Sequence, residues 1–420
     1  DENGDKMSKS LGNVISPDII INGGQMVKHE YNSTNKCISW PAYGVDVLRL
    51  WVASTDFSRD VIIGPTSIAQ NSDFLRKIRN TIRFILGNLY DYDADFEASA
   101  IPDDEILEKL TPLDILFLYK LETFVADVEK AYSSYNFRKV YGLLQNFVNT
   151  ELSSFYMDVS KDRLYCDPAN SRSRRGCQYA LHRTLTALVA TLGPILPFTC
   201  EDIYQHRQID VMKQDTQSPA DKKFSINTEV DAPSVFTRSK WPTTSLFCRN
   251  SAVYTRKKLT IDSILEAWQC VSTVRDSAKQ LLEVARKEEK IIGSSLEACI
   301  EISISDRSVD QTVFNSFLVF QPQLEDIFGA SQVIISRTGK RITPSSLSEN
   351  VVFDLVENAF VSVSINKADG LKCSRCWKIS DDLISANVCN GTDVKTPKVC
   401  RRCSSIVTQR APGDENPKTQ

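Results

Sequence analysis

Between Val140 and Val159, apolar residues recur at intervals of three and four: Val140, Leu143, Leu144, Phe147, Val148, Leu152, Phe155, Tyr156 and Val159. Five turns of this spacing require a helix with a broad buried stripe, since a strand would scatter the same side chains over both faces. Leu113 to Val128 repeats the pattern. A third helix is expected from about Gln178 to Leu192, stopping at Gly193-Pro194, with Pro197 preventing its return. Such stripes are core, so the middle of the chain is expected to be a helical bundle, and Ile261 to Lys290 adds another long amphipathic helix.

The periodicity then changes. Ala298 to Ile304 alternates as a half-buried strand, Val333 to Ile335 and Phe360 to Ile365 are further strand candidates, and Val313 to Phe320 is compatible with a helix. A small mixed domain is implied. Ahead of the bundle, Tyr43 to Trp51 begins a short helical stretch, and Thr66 to Asn88 is a charged amphipathic helix carrying Arg76, Arg79 and Arg83 on one face. A solvated face and a phosphate-binding face both fit that spacing. Polar stretches at Lys28 to Trp40 and Gln208 to Val230 read as insertions or loops, and the tail from Ala411 to Gln420 is expected to be disordered.

A chain of 420 residues with 42% hydrophobic content has room for about two to four domains. No stretch approaches the roughly 18 apolar residues needed to cross a membrane. The formal charge of −3 argues against a nucleic-acid partner until the charge is located. Lys367 to Arg410 holds nine Lys/Arg against four Asp/Glu, a local +5 that leaves −8 elsewhere. A local basic patch sets phosphate affinity more than the global balance does.

The twelve cysteines are too scattered for a disulfide framework, which points to a reducing compartment. Only Cys373, Cys376, Cys400 and Cys403 form paired CxxC turns, enclosing 23 residues. Four thiolates on two tight turns match a closed tetrahedral Zn2+ site. The segment has too little apolar material to fold unaided, and structural zinc supplies on the order of 10 kcal/mol in small peptides. Cys389 lies outside either pair and reads as a bystander that could replace one ligand. Around the ligands stand Arg375, Lys378, Lys395, Lys398, Arg401 and Arg402, with Trp377 directly after the second cysteine. Cations beside an aromatic plane suit RNA backbone contact and base stacking, although a Trp next to a zinc site is more often packed than stacked.

At the other end, Lys6-Met7-Ser8-Lys9-Ser10 is followed by Leu11-Gly12-Asn13-Val14. Phosphoryl and nucleotidyl transfer are catalysed by placing positive charge where negative charge develops, and a lysine is a mobile point charge suited to that task. Lys6 and Lys9 are therefore candidate catalytic groups. Ser8 and Ser10 are candidates for phosphate or backbone hydrogen bonds, and Gly12 and Asn13 would give the turn conformational freedom. A solvated basic turn is the alternative for an isolated KxxK.

The string KMSKSLGNV resembles the ATP loop of class I aminoacyl-tRNA synthetases. The order YGVDVLRLWVAS, FLRKIRNTIRFILGNL, KDRLY at Lys161 to Tyr165, LGPILPF, SVFTRSKWP, IIGSSLEA and CSRCW with CRRC resembles the isoleucyl enzymes over essentially the whole chain, and the cysteine knuckle points to their bacterial and organellar type. The resemblance implies that Lys6 and Lys9, with Ser8 and Ser10, act on ATP and its Mg2+ in forming isoleucyl-adenylate, before transfer to tRNA(Ile). It implies one structural Zn2+ per chain, a monomer, no membrane association, and residence in the mitochondrial matrix or, alternatively, the cytoplasm. Arg76, Arg79, Arg83, Arg375, Lys378, Lys398, Arg401 and Arg402 become candidates for tRNA contact.

The expected architecture is mainly α: the end of a class I nucleotide-binding domain (1–64), a helical anticodon-binding domain (65–260), a helix and small α+β domain (261–369), a zinc knuckle (370–407) and a tail (408–420). The family's HIGH-type signature, isoleucine pocket and editing insertion have no counterpart in these residues. The chain is accordingly read as the C-terminal portion of a longer enzyme, with a tRNA-binding, zinc-holding module lacking catalysis of its own as the alternative. A DNA-binding knuckle is a third reading, disfavoured by the bundle and the KMSKS loop. His29, His182 and His206 form no cluster with acids or cysteines and receive no catalytic role.

Overall fold

The computed structural model describes residues 1–28, 36–92, 109–214, 241, 259–304, 310–337, 348–353, 359–385 and 398–407. Residues 215–230 of the expected insertion, Cys389, most of the SVFTRSKWP string and the tail 408–420 lie outside them. The chain is mostly helical and divides into two compact units: 1–100, 118–155 and 178–246 in the first, 101–117, 156–177 and 247–420 in the second.

In the first unit, α1 (Pro17–Asn22) leads into a hairpin in which β1 (Gly24–Lys28) and β2 (Lys36–Trp40) pair antiparallel, Gly24 opposite Trp40. The expected insertion therefore begins and ends in paired strands. Next come α2 (Val45–Ser54) and α3 (Pro65–Asn88), the latter opened by a proline at its first position, where no amide is needed. Ile68, Ile78, Ile82 and Ile85 form the buried stripe of α3, while Arg76, Arg79 and Arg83 occupy its exposed face.

The helices α4 (Pro112–Ser133), α5 (Phe137–Asn146), α6 (Met157–Cys166) and α7 (Arg172–Leu192) contain the three expected stripes. Between α5 and α6, Phe147–Tyr156 winds as a π-helix rather than an α-helix. Phe147, Val148, Leu152, Phe155 and Tyr156 are nevertheless all buried, because spacings of three and four keep one face in register for either winding over a few turns.

Pro197 does not end the helical region. It opens α8 (Pro197–Gln214), since the first turn of a helix tolerates a residue without an amide hydrogen. The Oδ2 atom of buried Asp46 on α2 accepts from the Thr199 amide at 2.8 Å and its hydroxyl at 2.6 Å, supplying the cap that α8 otherwise lacks. One turn along α2, Arg49 donates to the carbonyls of Ile195 at 2.8 Å and Pro194 at 2.9 Å. Two of the motifs that carry the resemblance, YGVDVLRLWVAS and LGPILPF, thus meet in one junction.

In the second unit, α9 (Ile261–Lys287) starts with a reciprocal Thr260–Ser263 capping box. A four-stranded sheet follows, ordered β4-β3-β6-β5 from β3 (Ala298–Ile304), β4 (Gln332–Arg337), β5 (Ser348–Phe353) and β6 (Ala359–Lys367). The parallel β3–β4 pair needs a crossover, which α10 (Asp310–Phe320) and α11 (Leu324–Phe328) provide. Antiparallel β6 and β5 complete the sheet, and α9 packs on both as well as on α10.

Candidate functional site

The KMSKS loop lies in the first unit. Ser8 caps a single 3-10 turn, Lys9–Leu11, its Oγ accepting from the Leu11 amide at 3.3 Å, and Gly12 closes the turn at φ 64, a left-handed conformation that costs glycine little. Asn13 does not add freedom, as the sequence suggested. It is 2% exposed, its Oδ1 accepts from the Ser8 amide at 2.8 Å, and its Nδ2 donates to the Lys6 carbonyl at 3.3 Å. Asn13 is a clasp that holds the loop's two ends together. Ser10 lies beside Ser8, their hydroxyl oxygens 3.1 Å apart, while the Lys6 and Lys9 side chains are exposed and form no ion pair among the described residues.

The cysteine cluster lies in the second unit. Its backbone is built from β7 (Leu371–Lys372), β8 (Ile379–Ser380), β9 (Ile384–Ser385), β10 (Lys398–Val399) and the short α12 (Arg401–Val407). The sulfurs of Cys373, Cys376, Cys400 and Cys403 all lie within 4.8 Å of one another. The Cys376–Cys400 separation is 3.8 Å, and the Cys400 amide donates to Cys373 Sγ at 3.3 Å. The first turn is closed by the Trp377 amide on the Cys373 carbonyl at 3.0 Å, with Trp377 itself at φ 64. Burial raises the Cys373 thiol, yet the amides of Cys376, Cys400 and Arg375 outweigh it and bring the group down to about 6. Burial, reinforced by the neighbouring thiolates, pushes Cys376 and Cys400 up. The apolar support is small: Val399 with Leu383 and Val407. Four sulfurs at such spacing, accepting amide hydrogens and lacking a real core, fit a metal ion that supplies both charge and folding energy.

Around the cluster the basic residues separate into two sets. Lys398 and Arg401 are exposed, and Trp377 is 61% exposed, so the expectation that its ring packs is not met. Arg375 instead donates to the carbonyls of Cys166 at 2.7 Å and Tyr165 at 3.1 Å, and Arg402 grips Asp162 at 2.6 and 2.7 Å. Lys378 contacts Asp326 and Glu325, each at 2.9 Å. In the first unit, Arg79 pairs with Asp202 at 2.8 Å and Arg76 with Asp73 at 3.0 Å, both solvent-exposed, whereas Arg83 has no ion pair among the described residues.

The acids that hold the knuckle's cations were not singled out by sequence reasoning. Asp162 sits in KDRLY, whose next residue, Arg163, points inward to a fully buried carboxylate: Arg163 Nη1 and Nη2 donate to Asp114 at 2.9 and 2.7 Å. Tyr156 and Thr111 hydroxyls donate to the same carboxylate at 2.6 and 2.7 Å. The string KDRLY carried the signal, but not the partners.

Residues 1–64 match the family described as class I tRNA synthetases (I, L, M and V), and residues 114–300 match the anticodon-binding domain of tRNA ligase. Two separate stretches of the chain are thus similar to parts of class I tRNA ligases. The curated relatives that it matches include isoleucine–tRNA ligases. The chloroplastic/mitochondrial isoleucine–tRNA ligase of Arabidopsis thaliana is 33% identical over 418 residues, covering 98% of this chain and 33% of that protein. The isoleucine–tRNA ligases of Fervidobacterium nodosum and Gloeobacter violaceus are each 34% identical over 97% of this chain, covering 36% and 34% of their own lengths. The chain thus spans about a third of the length of these curated relatives.

Proposed function

We propose that this chain is part of an isoleucine–tRNA ligase, which joins isoleucine to tRNA(Ile) at the expense of ATP. The observation that carries the reading is the likeness to isoleucine–tRNA ligases along 98% of the chain, spanning the loop, the helical region and the cysteine cluster alike. In this reading Lys6 and Lys9 place ammonium charge against the ATP phosphates and Mg2+, with Ser10 available for a phosphate oxygen and Ser8 holding the turn. Asn13 keeps that loop in shape. The domain boundaries that accompany the reading are 1–64, 65–260, 261–369 for the helix and small α+β domain, 370–407 and 408–420.

Zn2+ is the metal best suited to Cys373, Cys376, Cys400 and Cys403. Sulfurs at about 2.3 Å from a tetrahedral zinc stand about 3.8 Å apart, which agrees with the Cys376–Cys400 separation. The ion's part is structural, closing two turns on each other. Exposed Trp377 offers a face for an unpaired base, and Lys398 and Arg401 offer charge for phosphates. Arg76, Arg79 and Arg83 serve as a second cationic strip, since exposed carboxylate pairs of the kind made by Arg76 and Arg79 are weak and exchangeable. Arg375, Lys378 and Arg402 contribute through the protein contacts described above. The organelles named for the Arabidopsis relative support a place in the mitochondrial matrix, with the cytoplasm as the alternative, and the protein is taken to act as a monomer.

The loop assignment is tested by isoleucine-dependent ATP–pyrophosphate exchange with the full-length protein. Lys9→Ala should lower kcat/KM by about 100-fold or more, as expected for loss of a charge acting on the transition state. An unchanged rate would refute the role. The second reading, supported by the anticodon-binding match and the cysteine cluster, is that residues 1–420 by themselves form a tRNA-binding, zinc-holding module; exchange activity from these residues alone would exclude it.

A further inference from the structure

Each CxxC turn carries an arginine directly before its second cysteine, and these two, Arg375 and Arg402, reach the same end of α6. Arg375 binds the last carbonyls of the helix, at Tyr165 and Cys166, where cations are favoured by the orphan carbonyls and the helix dipole. Arg402 holds Asp162 with both Nη atoms and lies 3.7 Å from Asp167. Lys378 approaches the same Asp162 carboxylate at 3.7 Å while bound to Asp326 and Glu325. The side chains of Asp162 and Lys378 are only 13% and 15% exposed. This is a forked, part-buried ion pair braced by a third charge, a stronger and more directional joint than a surface pair.

We propose that Asp162 is a positioning residue for RNA recognition: by fixing Arg402 and Lys378 it sets how the knuckle presents Trp377, Lys398 and Arg401. The inference rests on the reading of the knuckle as an RNA contact. It makes a prediction opposite in sign to simple electrostatics. Removing an anion next to a phosphate-binding surface should strengthen RNA binding through charge alone, whereas removing a positioning anion should weaken it.

The test uses the full-length protein with Asp162→Asn, Arg402→Ala, the pair combined, and Lys398→Ala/Arg401→Ala. Zinc content, hydrogen exchange of residues 371–380 and 398–407, and affinity for a tRNA(Ile) transcript are measured on each. Asp162→Asn should retain zinc, lose amide protection in those two segments, and bind the transcript roughly tenfold more weakly, about 1.4 kcal/mol. Combining it with Arg402→Ala should add little, because both variants break one joint. Should Asp162→Asn fold poorly, Arg402→Ala alone, altering a more exposed side chain, should show the same loss of protection and affinity. Unchanged protection, unchanged or tighter tRNA binding, or additive losses would overturn the inference, the last by showing that Arg402 touches RNA itself. If Lys398→Ala/Arg401→Ala leaves tRNA affinity unaltered, the reading of the knuckle as an RNA contact fails and the inference with it. If that variant weakens binding and Asp162→Asn does not, the positioning role alone fails.

Discussion

Asp114 and Arg163 form a buried ion pair in the second unit, 2.7 Å apart. Burial alone would push the Asp114 carboxyl up, but the Arg163 charge, with hydrogen bonds from Arg163, Tyr156 and Thr111, holds it below the ordinary carboxylate range. Asp114→Ala strands a guanidinium in the interior and should cost about 3–5 kcal/mol in urea unfolding, whereas replacing both partners by apolar residues of similar volume should cost far less. The pH dependence follows from the depressed value. The stabilisation is complete above the unfolded carboxylate value of roughly 3.9 and is lost as pH falls through the lower folded value. Unfolding followed from pH 6 down to pH 2 should show that acid loss in the wild type and a flatter profile in Asp114→Asn. Arg163 lies in the KDRLY string, but nothing in the sequence ties it to Asp114, since an acid and an arginine 49 positions apart carry no mark of their meeting.

At the scale of elements, periodicity told most of the story. The stripes of α3, α4, α7 and α9 were legible because an amphipathic helix repeats its burial every three or four residues. The π-winding of 147–156 and the restart at Pro197 were not, the first because both windings bury the same side chains, the second because a proline that stops one helix is equally suited to open another. The four-cysteine cluster, able to hold a metal ion, was legible from spacing alone, while the division of the surrounding cations was hidden: Arg402 and Asp162 are 240 positions apart. Trp377 shows the same limit: its left-handed backbone and its exposed ring are not advertised by the sequence. Because Val399, Leu383 and Val407 provide so little core, the proposed Zn2+ predicts that a chelator should abolish amide protection in 371–380 and 398–407 while leaving α3 and α7 protected. Knuckle protection that survives chelation would contradict a folding role for the metal.

For the molecule as a whole, the loop, the anticodon-binding match and the cysteine cluster support the same account from separate stretches of chain. The likeness to tRNA ligases was legible in the sequence because short strings such as KMSKS and the paired CxxC turns are specific: two lysines suit a triphosphate, and four sulfurs could hold a metal ion. The supporting contacts were not, because Asn13, Asp46, Asp114 and Asp162 act through partners chosen by the fold. Amino-acid and tRNA specificity is what would distinguish the proposed isoleucine–tRNA ligase from other class I synthetases. Charging of purified tRNA species by the full-length protein, with each of isoleucine, valine, leucine and methionine, tests it most directly. Stable charging of tRNA(Ile) with isoleucine is the predicted result; stable charging with another of these amino acids, or none with isoleucine, would contradict it.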